Sequence, residues 1–182
     1  GYFLDGNGDY LSIPDHADWE LTSDFTIEFF AYTNDRSRSL TAFVWNQYED
    51  AENRVDFRLD ESGLWYWRVE EANVVTVNVS SSAAFTDFNW HHVALVREND
   101  DYYIYIDGVN RTSSGSPDSS TPPTLAGPVY IGHLNSNTHY FPGYLDEIRV
   151  SDTCRYPSGT GFTPTSTQFV SDANTLLLIH GG

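Results

Sequence analysis

Residues Asn89–Gly108 read NWHHVALVRENDDYYIYIDG. Two short runs, His92–Val96 and Tyr103–Ile106, flank the polar stretch Glu98-Asn99-Asp100-Asp101, and Asp107-Gly108 closes the second run. β-Branched and aromatic side chains fit a pleated, half-buried surface. Asp-Gly is a tight-turn signal between strands. With a four-residue turn at Glu98–Asp101, Leu95 faces Ile104 and Val93 faces Ile106. All four side chains then point to one core. The stretch is therefore an antiparallel hairpin.

Outward from it the same grammar recurs, with strand signals separated by turn signals. Tyr10–Ile13 follows the Gly-rich run Asp5-Gly6-Asn7-Gly8-Asp9, and Phe25–Tyr32 places Phe25, Ile27 and Phe29 on one face. Val55–Leu59 alternates strictly, and Leu64–Val69 and the β-branched Val74–Val79 come next. Val129–Gly132, Tyr144–Val150 and Thr175–Ile179 complete the set. Long helical periodicity is missing, and only Asp15–Leu21 suits a helical turn. Ser113–Pro123 reads as a long surface loop. The expectation is a single all-β domain over residues 1–182, an antiparallel two-sheet sandwich. It reads as a segment excised from a longer protein.

Composition narrows the function classes. The 182 residues are 40% hydrophobic and 15% aromatic, which is globular and suited to strands. Nine basic against 26 acidic residues give a formal charge of -17. Nucleic acid is a poor partner for such a chain, because phosphate binding needs a basic footprint. Anionic membrane surfaces are excluded by the same repulsion, and no apolar run is long enough to span a bilayer. The single cysteine, Cys154, cannot form an internal disulfide and reads as a packed small hydrophobe. Asn78-Val79-Ser80 and Asn110-Arg111-Thr112 match the glycosylation pattern.

The hairpin over 55–69 admits two registers. A four-residue turn at Asp60–Gly63 sets Leu59 opposite Leu64 and leaves Trp65 and Trp67 opposite Arg58 and Asp56, on the face away from the core. A three-residue turn sends both Trp inward against Leu59 and Phe57. The first register is preferred here, with Gly63 suiting a left-handed turn position.

Several stretches together resemble the laminin-G-like jelly rolls of the concanavalin A-like lectin/glucanase superfamily. They are LDGNGDYLSIP, DFTIEFFAY, NWHHVALVR, YIYIDG, VYIGHL and FPGYLDEIRVSDTCRYPSGTGFTPT, and they cover nearly the whole chain in the family's order. The tail RYPSGTGFTPTSTQFVSDANTLLLIHG is similar to modules of phage tail and bacterial surface proteins. The resemblance implies a concanavalin A-like jelly-roll sandwich with one curved sheet. It also implies an extracellular, cell-surface or virion location, and binding rather than catalysis. Ligands of the family, often sugars, bind on the concave face or at one rim, and many members hold calcium.

Glucan-cutting enzymes of the superfamily carry E-x-D-x-x-E on one strand, which sets general acid and nucleophile on one face. No such stretch occurs here, and Asp146-Glu147 are strand neighbours expected on opposite faces. None of the six histidines shows H-E-x-x-H spacing. Calcium takes six to eight oxygen ligands. Asp5 and Asp9 in the Gly-rich turn, with Asp146 on a late strand, are candidate ligands; the alternative is a plain turn and a capping carboxylate. A glycan or polysaccharide needs aromatic faces beside planar polar groups. The candidate platforms are Trp45, Tyr48, Trp65 and Trp67, with Arg58, Asp56 and Asn46 as polar partners. Asn135, Asn137 and Tyr140 are candidate rim contacts. Core packing is the competing role for each Trp.

Overall fold

A computed structural model describes residues 1–33, 41–85, 87–114, 120–135, 139–157 and 160–182. Strands dominate, and the helical signal near Asp15 yields one 3-10 turn, Ala17–Trp19. In chain order the strands are β1 (Tyr2–Asp5), β2 (Leu11–Ile13), β3 (Phe25–Thr33), β4 (Ala42–Tyr48) and β5 (Arg54–Leu59). Next come β6 (Trp65–Glu71), β7 (Val74–Ser81), β8 (His91–Glu98) and β9 (Asp101–Ile106). The last are β10 (Val109–Asn110), β11 (Thr112–Ser114), β12 (Val129–Ile131), β13 (Pro142–Ser151) and β14 (Thr175–Ile179).

They form two antiparallel sheets, as the alternating patterns require. The first has the order β1-β13-β3-β8-β9-β10, with β14 also on β13. The second runs β11-β7-β6-β5-β4-β12-β2. Their inner faces share one core in which Phe25, Phe29, Phe57, Trp65, Trp67 and Tyr102 are fully buried. The β8–β9 hairpin has the expected register, with Val93 opposite Ile106 and Leu95 opposite Ile104. Asn99 and Asp100 both take positive φ, the twist a two-residue turn needs. The following Asp107-Gly108 turn does the same. A Cβ on Gly108 would sit 1.7 Å from the Phe162 carbonyl, so only glycine lets the C-terminal segment cross there.

The preferred register over 55–69 is overturned. Leu59 lies opposite Trp65 and Phe57 opposite Trp67. The Asp60 amide donates to the Leu64 carbonyl at 2.9 Å, which leaves the three-residue turn Glu61-Ser62-Gly63. Asp60 decides the matter, because its Oδ1 accepts from the amides of Ser62 (2.9 Å) and Leu64 (2.7 Å). Gly63 supplies the left-handed residue that such a loop requires, with φ of +83°. Trp65 and Trp67 are therefore core residues.

Two further differences concern β4 and β13. The run 42–48, continuously apolar from Ala42 to Trp45, shows no alternation, yet it forms a strand between β5 and β12. In β13 the register with β3 shifts between Asp146 and Arg149, and Glu147 takes φ of +50°. The bulge defeats the alternation that would separate Asp146 from Glu147. Both carboxylates instead serve the tail. Glu147 accepts from the Phe169 amide and pairs with His180, and Asp146 Oδ1 accepts from the Gly181 amide.

The tail also covers a small second apolar cluster of Ala94, Val96 and Tyr105, packed by Cys154, Tyr156 and Phe162. Burial pushes the Cys154 thiol up to about 11, so it stays protonated and inert.

Candidate functional site

Because Trp65 and Trp67 face inward, the residues between and beside them face outward. The outer face of the second sheet carries a cross-strand row, Tyr130–Asn46–Asp56–Arg68–Asn78. Beside it runs a second row in which Arg58 lies opposite Phe43 on one side and Tyr66 on the other. The Arg58 guanidinium carbon sits 5.7 Å from the Phe43 ring centre and 5.9 Å from that of Tyr66. A third row places Arg54 between Tyr48 and Glu70.

Asp56 is the floor of this arrangement. It is fully buried, and neither carboxylate oxygen accepts a hydrogen bond among the described residues. Arg58 Nη1 lies 3.0 Å from Asp56 Oδ1, and Glu70 pairs with Arg54 and, at 3.0 Å, with Arg68 Nη2. Burial pushes the Asp56 carboxyl up to about 6, against the pull of Arg58, Arg68 and Arg54. A carboxyl so raised is favoured in its protonated form, so above that pH its ionisation opposes folding. Such a costly group on a sheet face marks a functional-site candidate.

Arg58, Asp60, Tyr66, Arg68 and Asn78 line a hollow of about 490 Å³ on this face. At its other end the row continues into rings. Tyr130 lies 5.9 Å from His133, Tyr10 lies 4.9 Å from it, and Tyr140 stacks on it at 4.3 Å and 9°. Asn46 joins the two parts, donating from Nδ2 to the His133 carbonyl at 2.6 Å.

The sequence candidates therefore divide. Asp56, Arg58, Asn46, Tyr48 and Tyr140 belong to or border this face. Trp65 and Trp67 do not, for the register reason above. Trp45 does not either: it pairs with Phe57, is 1% exposed, and packs edge-to-face on Trp19. Asn135 is exposed beyond the row, and Asn137 lies outside the described residues. Tyr66, Arg68, Arg54, Glu70, Tyr130 and Tyr10 were missed. For Tyr66, Arg68 and Glu70 the signal is the same β6 parity that places the Trp pair, and for Arg54 it is the alternation of β5.

The calcium candidates do not come together. Asp5 lies opposite Pro142, whereas Asp146 lies beyond the pair Tyr2–Leu145 at the other end of β1. Four residues of strand separate the two sites by about 13 Å. Asp9 Oδ2 accepts from the Asp5 amide, and Asp5 Oδ1 accepts from the Asn7 amide, so the turn closes on itself. No group of three or more His, Cys, Asp or Glu among the described residues is placed to hold a metal ion. The three carboxylates thus do not fit one calcium ion. Any calcium-dependent rise in melting temperature should survive Asp146→Asn, since that carboxylate lies about 13 Å along the strand from the Gly-rich turn. A calcium-dependent rise removed by Asp146→Asn would restore the three-carboxylate site.

The chain matches a family model described as concanavalin A-like lectin/glucanases superfamily over residues 5–158. No curated protein matches it. Among solved structures it is similar to the mouse laminin alpha1 chain, domains LG4-5, at a TM-score of 0.59 and 15% identity. That match covers 91% of this chain and 46% of the laminin chain. A putative carbohydrate binding protein from Bacteroides ovatus matches with a TM-score of 0.59 and 17% identity, covering 87% of this chain and 45% of the other. Domain 4 of an extracellular arabinanase from Geobacillus stearothermophilus, solved with arabinotriose, gives 0.58 and 17%, covering 81% and 68%. This chain thus spans under half of the first two. At such identities these likenesses establish a shared fold. By the match over residues 5–158, the chain belongs to the Laminin_G_3 family of the concanavalin A-like lectin/glucanase superfamily.

Proposed function

We propose that this chain is a non-catalytic carbohydrate-binding or adhesion module of an extracellular, cell-surface or virion protein. It engages its glycan over the outer face of the second sheet. The observation that carries the reading is Arg58 held between Phe43 and Tyr66 above the buried Asp56. A planar donor fork beside aromatic faces, at the edge of a hollow, suits the mixed polar and apolar surface of a sugar ring. Arg58 and Arg68 each carry five N–H donors, far more than their neighbouring carboxylates engage. Asp56 acts as a positioning residue, holding the guanidinium flat.

Two structural neighbours support the choice by their descriptions, a putative carbohydrate binding protein and an arabinanase domain solved with arabinotriose. Non-catalytic action is supported by the carboxylates themselves. Asp146 and Glu147, brought to one face by the bulge, are both engaged by backbone amides of the tail.

A glycan-array screen followed by calorimetry tests the proposal. Arg58→Gln and Tyr66→Ala should each weaken binding about tenfold or more, the scale of one lost stacking or charge-assisted contact. The melting temperature of Tyr66→Ala should change little, because its ring lies outside the core, whereas Arg58→Gln should also lose stability, because it leaves the buried Asp56 carboxyl without its paired guanidinium. Glycan binding unaffected by both variants, or no binding to any glycan, would leave a structural or protein-interaction domain without a site on this face.

A further inference from the structure

We propose a second glycan site, for a neutral sugar chain, on the opposite sheet, in the pocket between Trp90 and the segment Thr165–Gln168. This pocket of about 290 Å³ is lined by Phe30, Trp90, Asp146, Thr165, Gln168 and Gly181 among others. An aromatic wall facing hydroxyl, amide and carboxylate groups is the chemistry that sugars require. The Gln168 side chain makes no hydrogen bond among the described residues, and lone pairs remain on Asp146 Oδ2, which lies 3.3 Å from the terminal amine.

The wall continues beyond the pocket. Phe3 lies opposite Tyr144, and Tyr144 opposite Tyr32. Trp90 extends the row, its ring 6.0 Å from Tyr32 and 6.1 Å from Tyr144. Tyr32 and Tyr144 are 5.8 Å apart, and Phe3 and Tyr144 4.9 Å. These rings step across the outer face of the first sheet at roughly the strand spacing, on the order of one sugar ring per strand. Phe3 is 50% exposed, Trp90 45% and Tyr144 38%. Contiguous exposed aromatics mark interaction surfaces.

Charge chooses the ligand. Asp146 and Glu147 border the pocket and, among the described residues, no basic side chain lines it, so a neutral chain meets less repulsion there than a uronate or sulfated one. The pocket also depends on residues 165–168 and 181, which lie beyond the family match at 158. This chain's own tail therefore completes a pocket whose aromatic and acidic lining lies within the match.

The tryptophans provide the readout. Trp19, Trp45, Trp65 and Trp67 are 6%, 1%, 0% and 0% exposed, so acrylamide quenching of tryptophan emission reports on Trp90. The purified chain would be titrated with arabino-, xylo-, cello- and laminari-oligosaccharides and with oligogalacturonate. At least one neutral oligosaccharide should shield Trp90 from quencher, and oligogalacturonate should not. Tyr144→Ala and Gln168→Ala, which retain the reporter, should each weaken the response about tenfold. Tyr66→Ala should leave it intact, which separates this site from the one on the other sheet. The proposal is overturned if no neutral oligosaccharide shields Trp90, or if neither variant weakens the response. It is also overturned if shielding appears on concentrating the protein alone, which would put a second copy over the row.

Discussion

Replacing Trp65 by alanine should cost roughly 3–5 kcal/mol of unfolding free energy, the range for emptying a fully buried aromatic site. The ring is fully buried. It packs against Phe57 at 5.3 Å, Phe29 at 5.4 Å and Phe85 at 5.7 Å between ring centres, bringing side chains of both sheets together. Three large aromatic neighbours cannot collapse far into the space it leaves, which favours the upper part of the range. The Trp65 amide is also anchored, donating to Ser81 Oγ at 3.0 Å, so the backbone will not shift to fill the gap. A urea melt of Trp65→Ala against the parent chain decides the register. A midpoint change equivalent to less than about 1 kcal/mol would put the ring on the outer face instead. It would also return Trp65 to the glycan-binding candidates.

A comparable loss is expected at Glu28. This carboxylate is fully buried on the opposite side of the first sheet from the main core. Its Oε1 accepts from Arg149 Nε (2.8 Å) and Nη2 (2.6 Å). Its Oε2 accepts from the Tyr156 hydroxyl (2.6 Å) and lies 2.9 Å from His92 Nε2. Burial alone would raise the Glu28 carboxyl. The His92 hydrogen bond, the charges of His92 and Arg149, and the Tyr156 hydroxyl outweigh it and hold the group below the usual carboxylate range. Glu28→Gln removes the charge at constant size and strands Arg149 under Phe169, whose ring lies 4.0 Å from the guanidinium carbon. Breaking a buried pair from one side costs roughly 3–5 kcal/mol.

The pH dependence carries the sign. A carboxyl lowered in the folded state contributes stability that is present above its unfolded value and lost as pH falls through the folded one. Denaturant melts should therefore show the parent chain losing this contribution on acidification, with Glu28→Gln flatter over the same window. Replacing both partners by apolar residues, as in Glu28→Leu with Arg149→Met, should recover part of the loss. Equal acid sensitivity in parent and Glu28→Gln would remove this cluster from the account of stability.

The fold was legible because it rests on local pattern. Leu95 and Val93 meet Ile104 and Ile106 as the alternation requires, and Asn99-Asp100 and Asp107-Gly108 turn where turn chemistry places them. The family resemblance was legible for the same reason, since its motifs are strands and the turns between them. The strand β4 was not, because Ala42 to Trp45 is apolar at every position and period-two reading finds nothing in a strand buried on both sides.

The site was half legible. Asp56 and Arg58 lie on the outer face as the alternation of β5 implies, but their partners across β6 depended on one residue of turn length. Asp60 caps a three-residue turn through its side chain, and that shift moved every side chain of β6 to the other face. The sequence by itself determined an acidic, antiparallel all-β sandwich and the outward side of β5. Only the tertiary structure decided that Trp65 and Trp67 fill the core and that Tyr66 and Arg68 face out. It also decided that Asp146 and Glu147 share a face and hold the tail. The reason is that alternation fixes which residues travel together, whereas turn closure, bulges and contacts distant in sequence fix which face they reach.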